Sequence, residues 1–597
     1  PGQVTLLENP QNLGFVGSVN RGLALAEGRP GHVVVLNSDA LVPPGWASRL
    51  LAPIEADASI ASVTPMSNDA EIFSVPRICE AGVLAPGQAD ALDRVAAGLG
   101  QPDRLPSAPT GVGFCMAMSA RWLARAPRFD TAFGHGYGEE VDWCQKLRRK
   151  GARHVCLPTL FVEHRGGQSF GAAQKRRLVG QANAMIRSRY PAYDVEVQSY
   201  IAHDPLATPR LALAIAKSAE EAAGPVPVFV AHSLGGGAEQ ALVREIEQSL
   251  ARNTDALVLR VGGDRRWTLE LHGRGGAVAG AGDDPAIIRH LMAPCAALDI
   301  VYSCGVGDPD PLGLPDMILS LVRPDRPDRV EMRVHDFFMV SPSYCLLGAD
   351  GRYRGVGGAM AHDPAHRLEM ADGRIVSLAD WQAAWGRLVT ACWRIVVFSE
   401  ASRAILARTY PAAARRIAVL PHRPVLPGPV ASPAPDAPQV IGVLGNINHQ
   451  KGAEIVLGLA ERRSALGAPG AASARLVVVG NLDARYAPPR ALTLHGSYDR
   501  AEIGPLVQRY GITTWLMPSI WPETFSFVTH EMLATGLPVL GFDIGGQGEA
   551  LRAAPNGWPV PFDPDADPVE TMRRAIAERA RPGWCAPPFG LQPATVP

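Results

Sequence analysis

The sequence predicts an α/β protein made of several parallel-sheet units, on three observations. The apolar run Val33–Leu36 follows a glycine-bearing turn and a helix-patterned stretch at residues 12–27. A second apolar run, residues 226–231, leads into Gly235-Gly236-Gly237 and an amphipathic stretch from Ala238. A third, Val440–Leu444, leads into a loop that carries Lys451. Alternating strand, turn and helix is the pattern of a parallel sheet covered by helices.

Taken in order, residues 4–7 read as a short strand, 12–27 as turn and helix, 33–36 as a buried strand and 45–55 as a helix. Residues 81–109 are rich in Pro, Gly and Ala and read as a surface excursion. Residues 110–170 are dense in aromatic, acidic and His side chains. A polar, Ala-rich stretch ends at Gly224-Pro225, and residues 206–224 read as a linker between a first domain, 1–205, and a second, 225–430. Strands are expected at 256–261, 300–303, 331–334, 395–398 and 418–420. The Pro-rich stretch 424–438 is a hinge into a third domain, 431–597, with strands at 440–444, 476–479 and 539–542. Two α/β units on a hinge imply a cleft where a ligand binds.

The length agrees: at roughly 150 residues per domain, 597 residues make three or four. A hydrophobic fraction of 47% and a charged fraction of 19% exclude bulk disorder. The 57 basic and 58 acidic residues nearly cancel, so nothing calls for nucleic acid as a partner. Nine cysteines without a C-x-x-C pair argue against a zinc ribbon and for reduced thiols in a cytoplasmic protein. No apolar run approaches the roughly 18 residues of a spanning helix.

Three N-terminal features carry chemistry. They are Asn12-Leu13-Gly14-Phe15-Val16-Gly17, then Asn37-Ser38-Asp39 at the end of an apolar strand, then Gly138-Glu139-Glu140-Val141-Asp142 with His164 downstream. A strand-end Asp is placed to hold Mg²⁺ or Mn²⁺, which prefer carboxylate and diphosphate oxygens, and a His can complete a Mn²⁺ shell. Alone, each has a blander reading: Asp39 as a turn cap, the Glu pair as helix-dipole partners, His164 as a structural histidine. Together they resemble the inverting family 2 glycosyltransferases of rhamnosyl- and galactofuranosyltransferase type, over about residues 1–200. That resemblance implies a GT-A fold, donor binding by Asn37 and Asp39, a divalent cation on Asp39 and His164, and Glu140 as catalytic base. The family's first strand and helix would precede Pro1, so weak donor binding is expected of this module as it stands.

The C-terminal motifs are denser. Glycines between strand and helix let backbone N–H groups approach an anion. Lys451, after the third apolar run, can meet a phosphate as a point charge. Glu523 and Glu531 stand seven residues apart in Pro522-Glu523-Thr524-Phe525-Ser526-Phe527-Val528-Thr529-His530-Glu531, and a carboxylate suits vicinal hydroxyls. Solvated helix-entry charges are the plain alternative. With Gly536-Leu537-Pro538 and Asp543-Ile544-Gly545-Gly546, this pattern resembles the retaining family 4 glycosyltransferases over roughly residues 225–575. That implies a GT-B pair of Rossmann-like domains needing no cofactor. Its implied roles are Glu523 at the donor sugar, Glu531 on the ribose, Lys451 on the diphosphate and Gly236-Gly237 over the phosphates. The family's Arg ahead of the Lys is missing; Asn446 or Asn448 stands in that region. In Val334-His335-Asp336, His335 resembles the family's catalytic His near the acceptor, with a buried structural histidine as the alternative.

The resemblances imply a cytoplasmic enzyme of surface-polysaccharide synthesis. A nucleotide-sugar donor would meet a growing glycan or lipid-linked oligosaccharide acceptor. Arg148, Arg149, Lys150, Arg153 and residues 175–177 would account for peripheral membrane association, or are ordinary solvated faces. Two alternatives stand beside this: an N-terminal half that is only a scaffold, and a non-catalytic glycan-binding subunit.

Overall fold

A computed structural model describes residues 4–579, apart from 10, 101–103, 135, 167–171, 234, 236, 371, 432, 435–436, 463–465 and 467–473. The chain forms two compact units: residues 1–226, 248–259 and 265–297, and residues 227–247, 260–264 and 298–597. Among the described residues, no helix is long and apolar enough to cross a membrane.

Unit one is built on a five-stranded sheet in the order Val33–Leu36, Cys115–Met118, Ile60–Met66, Arg153–Phe161, Ser107–Ala108. Only the Ile60–Met66 and Arg153–Phe161 pair is parallel; the other ladders are antiparallel, so the sheet is mixed. All seven residues of Ile60–Met66 are buried, as expected of a central strand covered on both faces. The helix read at 12–27 is Gly14–Ala26, and the one read at 45–55 is Trp46–Ala56. A two-residue ladder, Ala40–Leu41 against Glu163–His164, lies beside this sheet.

Three readings change here. Residues 4–7 are not a strand: Val4 and Leu6 are 84% and 80% exposed, with no apolar face to cover. Residues 81–109 include the helix Gln88–Gly98. Residues 206–224 contain the helix Ala207–Glu221, because Leu211, Leu213, Ile215 and Ala216 give it a buried side. Arg210 anchors that helix at 2% exposure, donating to Asp204 at 2.8 Å and to the Ile72 carbonyl at 3.1 Å. Unit one also holds an antiparallel hairpin, Trp267–Gly273 with Gly276–Gly282.

In unit two, the strands Val226–His232, Leu298–Tyr302, Arg329–Arg333, Arg394–Val397 and Ile417–Val419 lie side by side in that order. From Leu298–Tyr302 to Ile417–Val419 the neighbours pair in parallel. A six-stranded parallel sheet follows: Leu492–Leu494, Arg475–Val479, Val440–Leu444, Thr514–Met517, Val539–Phe542, Gly557–Val560. Its strands feed two cores. Ile441, Val443, Leu476 and Val478 enter one; Val440, Leu444, Val477 and Val479 enter the other. This period of two is the alternation of a strand between two helical layers. Unit two thus has the Rossmann-like architecture that the sequence predicts.

Candidate functional sites

In unit one the local ladder sets the geometry. Ala40 pairs with His164, and the Arg165 amide donates to the Asp39 carbonyl at 3.0 Å. The Asp39 and His164 side chains therefore stand together, Oδ1 to Nε2 3.5 Å. Asn37 Nδ2 is also 3.5 Å from Nε2, and Phe114 stacks on the imidazole with centroids 4.9 Å apart. The other ring nitrogen, Nδ1, lies 2.7 Å from the Asp69 carbonyl. A carbonyl only accepts, so Nδ1 carries a proton, and in the neutral imidazole the Nε2 lone pair faces Asp39. A lone pair aimed at a carboxylate is the arrangement of a metal-ligating histidine with its backbone partner. Asp69, in Ser67-Asn68-Asp69 at the end of the buried central strand, is missed by the sequence reading. Among the described residues, no three His, Cys, Asp or Glu side chains converge to hold a metal ion alone.

Glu140 opens the helix Glu139–Arg148 behind Gly138, whose φ of 91° favours glycine. Glu139 is 2% exposed and Glu140 partly buried. Burial, and then the Glu139 carboxylate beside it, push the Glu140 carboxyl well above the usual carboxylate range. Each keeps an oxygen with no hydrogen-bond partner. Asp142, on the same helix, accepts through Oδ1 from Arg189 and the Tyr190 hydroxyl at 2.7 and 2.8 Å, and its Oδ2 lies 2.5 Å from Lys146 Nζ. Glu140 makes no hydrogen bond to Asp39 or His164. The basic run beyond it is engaged within the unit: Arg148 pairs with Glu196, and Arg153 with Asp57 at 2.8 Å. The side chains of residues 175–177 lie outside the described residues.

In unit two the expected residues gather at the carboxyl ends of parallel strands, where such sheets bind ligands. Glu523 follows Thr514–Met517 and is 4% exposed. Its amide donates to Gln547 Oε1 at 3.0 Å, its carbonyl accepts from Gly546 at 2.7 Å, and its Oε1 has no partner. Gly545, at φ 57°, passes so close that a side chain would sit 2.6 Å from the Glu523 amide. The backbone is thus fixed while the carboxylate is left open. The next residue joins Glu523 to His335: Thr524 Oγ1 donates to the His335 carbonyl at 3.0 Å.

The His335 ring lies among aromatics, 4.8 Å from Phe398 and 5.5 Å from His422 between centroids. His422 in turn stacks on Phe398 at 3.9 Å and meets Phe525 and Phe527 at 5.1 and 5.0 Å. Burial, then the charges of His422 and Arg333, hold His335 down at about 3. Burial, then Arg244 and Arg333, hold His422 at about 4. Both imidazoles are neutral at ordinary pH, and His422 Nε2 is buried with no partner. His422 is the second residue missed by the sequence reading; its place just past the strand Ile417–Val419 is the signal that could have found it.

Lys451 stands in the loop after Val440–Leu444, and its amide donates to Asn448 Oδ1 at 3.2 Å. The adjoining Gln450 carbonyl accepts from the Ile520 amide at 3.0 Å, tying this loop to the Glu523 loop. Gly452 is required: at φ 79°, a side chain would meet the Pro518 carbonyl oxygen at 2.2 Å. Glu531 lies on the helix Phe527–Ala534, buried, and accepts from Arg500 Nε at 2.6 Å. Sequence reasoning expects a carboxylate open to ribose; the structure gives it an arginine partner, which offsets the cost of burying the charge. Gly237 opens the helix Gly237–Ala251, and a side chain on it would meet the Phe527 ring at 3.4 Å. Gly236 lies outside the described residues.

Residues 1–125 match the family model described as Glycosyl transferase family 2, and residues 429–582 match Glycosyl transferases group 1. No curated protein matches. Similar solved structures include sucrose-phosphate synthase from Thermosynechococcus elongatus, 16% identical over 60% of this chain and 91% of that one, TM-score 0.40. Another is HepE from Anabaena in complex with UDP, 15% identical over 59% and 89%, TM-score 0.37. A third is the catalytic domain of starch synthase IV from Arabidopsis thaliana, bound to ADP and acarbose, 11% identical over 60% and 93%, TM-score 0.35. Glycosyltransferase sequence therefore stands near both ends of one chain, and the protein is an enzyme of that class.

Proposed function

We propose that the chain is a two-module glycosyltransferase of surface-polysaccharide synthesis, moving sugars from nucleotide-sugar donors to a growing, lipid-linked glycan. The observation that carries this is the Glu523 loop. There a buried carboxylate with an unpartnered oxygen is held by Gln547 and Gly546, joined through Thr524 to His335 and tied to the Lys451 loop. A preorganised, buried charge acts where charge develops in a transition state. Lys451 then meets the diphosphate, and the free oxygen of Glu531 meets the ribose. Neutral His335 and His422 offer hydrogen bonds to sugar hydroxyls without adding charge. This module works without metal and retains anomeric configuration.

The N-terminal module is read as inverting, with Glu140 as base. Asp39 and His164 fit a divalent cation: a carboxylate faces an imidazole lone pair whose other nitrogen is tied to a carbonyl. Two protein groups suffice for Mg²⁺ or Mn²⁺ when substrate phosphates complete the shell. Such an ion neutralises charge on a departing nucleotide diphosphate. A rhamnosyl- or galactofuranosyltransferase specificity belongs to this proposal, as does association with the inner face of the membrane.

The test is transfer from a panel of nucleotide sugars with Mn²⁺ and with EDTA, followed by NMR of the new linkage. We expect an EDTA-resistant product that keeps the donor's anomeric configuration and an EDTA-sensitive one that inverts it. A chain that turns over no nucleotide sugar in either condition would refute the reading.

A further inference from the structure

The helix Gly237–Ala251 carries a single arginine, Arg244. Arg244 lies seven residues beyond Gly237, about two helical turns, and so on the same face. Both residues sit on one ring: Gly237 approaches Phe527, and the Arg244 guanidinium carbon lies 6.0 Å from the Phe527 centroid. Phe527 is itself 5.0 Å from His422, in the aromatic cluster beside His335.

The neighbouring arginines are all satisfied. Arg333 is held by Glu245 at 2.6 Å and Glu331 at 2.8 Å. Arg260 is held in a fork by Glu239 at 2.6 and 2.9 Å. Of the helix's three acids, Glu239 and Glu245 are thus committed to other cations, and Glu247, three residues beyond Arg244, makes no ion pair with it. Among the described residues, no carboxylate pairs with Arg244. Its contact with Phe527 is a weak cation–π interaction at the limit of its range. A half-buried guanidinium among neutral aromatic and imidazole rings, with its five donors uncommitted, is built to receive an anion.

We propose that Arg244 binds a phosphate group of the substrate, beside the Phe527 and His422 rings. The inference rests on the reading of the Glu523 and Lys451 loops as a nucleotide-sugar site and adds an anion ligand from the glycine-loop helix to Lys451. The planar fork matches two phosphate oxygens, which a lysine cannot do. The phosphate belongs either to the donor's diphosphate or to a phosphorylated acceptor.

The experiment is calorimetric titration of the full chain in EDTA, so that metal-dependent binding is silent. The probes are inorganic pyrophosphate, UDP, ADP and GDP for the donor side, and octyl phosphate for the acceptor side. Arg244→Gln should bind about tenfold more weakly, one charge-assisted bond being worth roughly a decade or more. Arg244→Lys should recover part of the loss, and both variants should melt like the wild type. A loss confined to pyrophosphate and nucleotides assigns the donor's phosphate; a loss confined to octyl phosphate assigns the acceptor's. Wild-type affinity of Arg244→Gln for every probe that the wild type binds overturns this inference alone. A wild type that binds none of them overturns the nucleotide-sugar reading as well.

Discussion

Asp39 Oδ1 faces His164 Nε2 at 3.5 Å, while the opposite nitrogen of the same imidazole is occupied by the Asp69 carbonyl at 2.7 Å. The second contact fixes what the first can do. With the Nδ1 proton given to a carbonyl, Nε2 of the neutral ring accepts, and a cation between it and Asp39 relieves the repulsion of lone pair and carboxylate.

Asp39→Ala is therefore expected to lower EDTA-sensitive transfer by more than roughly 100-fold, the upper range for loss of even an outer partner of a metal site. EDTA-resistant transfer should be unchanged. Initial rates with and without EDTA check this; metal-dependent activity at the wild-type level in Asp39→Ala would remove Asp39 from the site.

Glu140 should set the acid limb of the metal-dependent activity. A base must be ionised, and burial with Glu139 beside it raises this carboxyl well above the usual carboxylate range. Activity should therefore fall as pH drops through a value above that of a free carboxylate. Glu139→Gln removes the neighbouring charge and should move the limb to lower pH. A limb that stays put in Glu139→Gln would argue against the pairing.

The two glutamates of unit two should separate kinetically. Glu523→Gln should lower kcat about 100-fold with donor KM little changed, because the proposed function puts its carboxylate where charge develops. Glu531→Ala should raise donor KM about tenfold, and it should also lower the melting temperature, since Arg500 loses its partner. Removing Arg500 as well should restore part of that melting temperature. A double variant no more stable than Glu531→Ala would mean that the pair is not what holds this region.

His154 should make stability fall in acid. It is fully buried, with Ser62 Oγ 2.7 Å from Nδ1 and the Cys144 carbonyl 3.0 Å from Nε2. Burial holds it down at about 3, against about 6.5 in the unfolded chain. Below about pH 6.5 the unfolded state binds the extra proton, so the stability present above that pH is lost as pH falls toward 3. The slope approaches about 1.4 kcal/mol per pH unit for one such histidine. Denaturant midpoints at pH 7, 6 and 5 should show the decline, and His154→Gln, with no proton to take up, should show a shallower one.

Much of both sites is legible from local pattern. Asn37-Ser38-Asp39 ends an apolar strand, and the Lys451, Glu523 and Glu531 motifs follow strand patterns in order. What escapes has no pattern of its own. Asp69 acts through a backbone carbonyl, which any residue type supplies. His422 sits next to proline-rich sequence that reads as hinge, and its neighbours Phe398 and Phe527 come from distant parts of the chain. The Ala207–Glu221 helix escapes because its small alanines look like a linker until Leu211 and Ile215 are seen to be buried. The hairpin Trp267–Gly282 escapes because its second strand, Gly276–Gly282, holds only glycine, alanine and one valine. The exposed residues 4–7 show the reverse error, an apolar run without a surface to bury against.

The strand Val440–Leu444 divides its side chains between two cores, Ile441 and Val443 to one, Val440 and Leu444 to the other. Deleting a single residue inside it would turn every side chain to the opposite layer and misplace the Lys451 loop at its end. The proline-rich stretch before it has no such parity to keep, and loop closure costs little per added residue. Length changes are therefore tolerable up to the start of this strand and ruinous within it. For an engineer grafting or shuffling the six-stranded half, that boundary marks where a crossover can fall without scrambling the sheet.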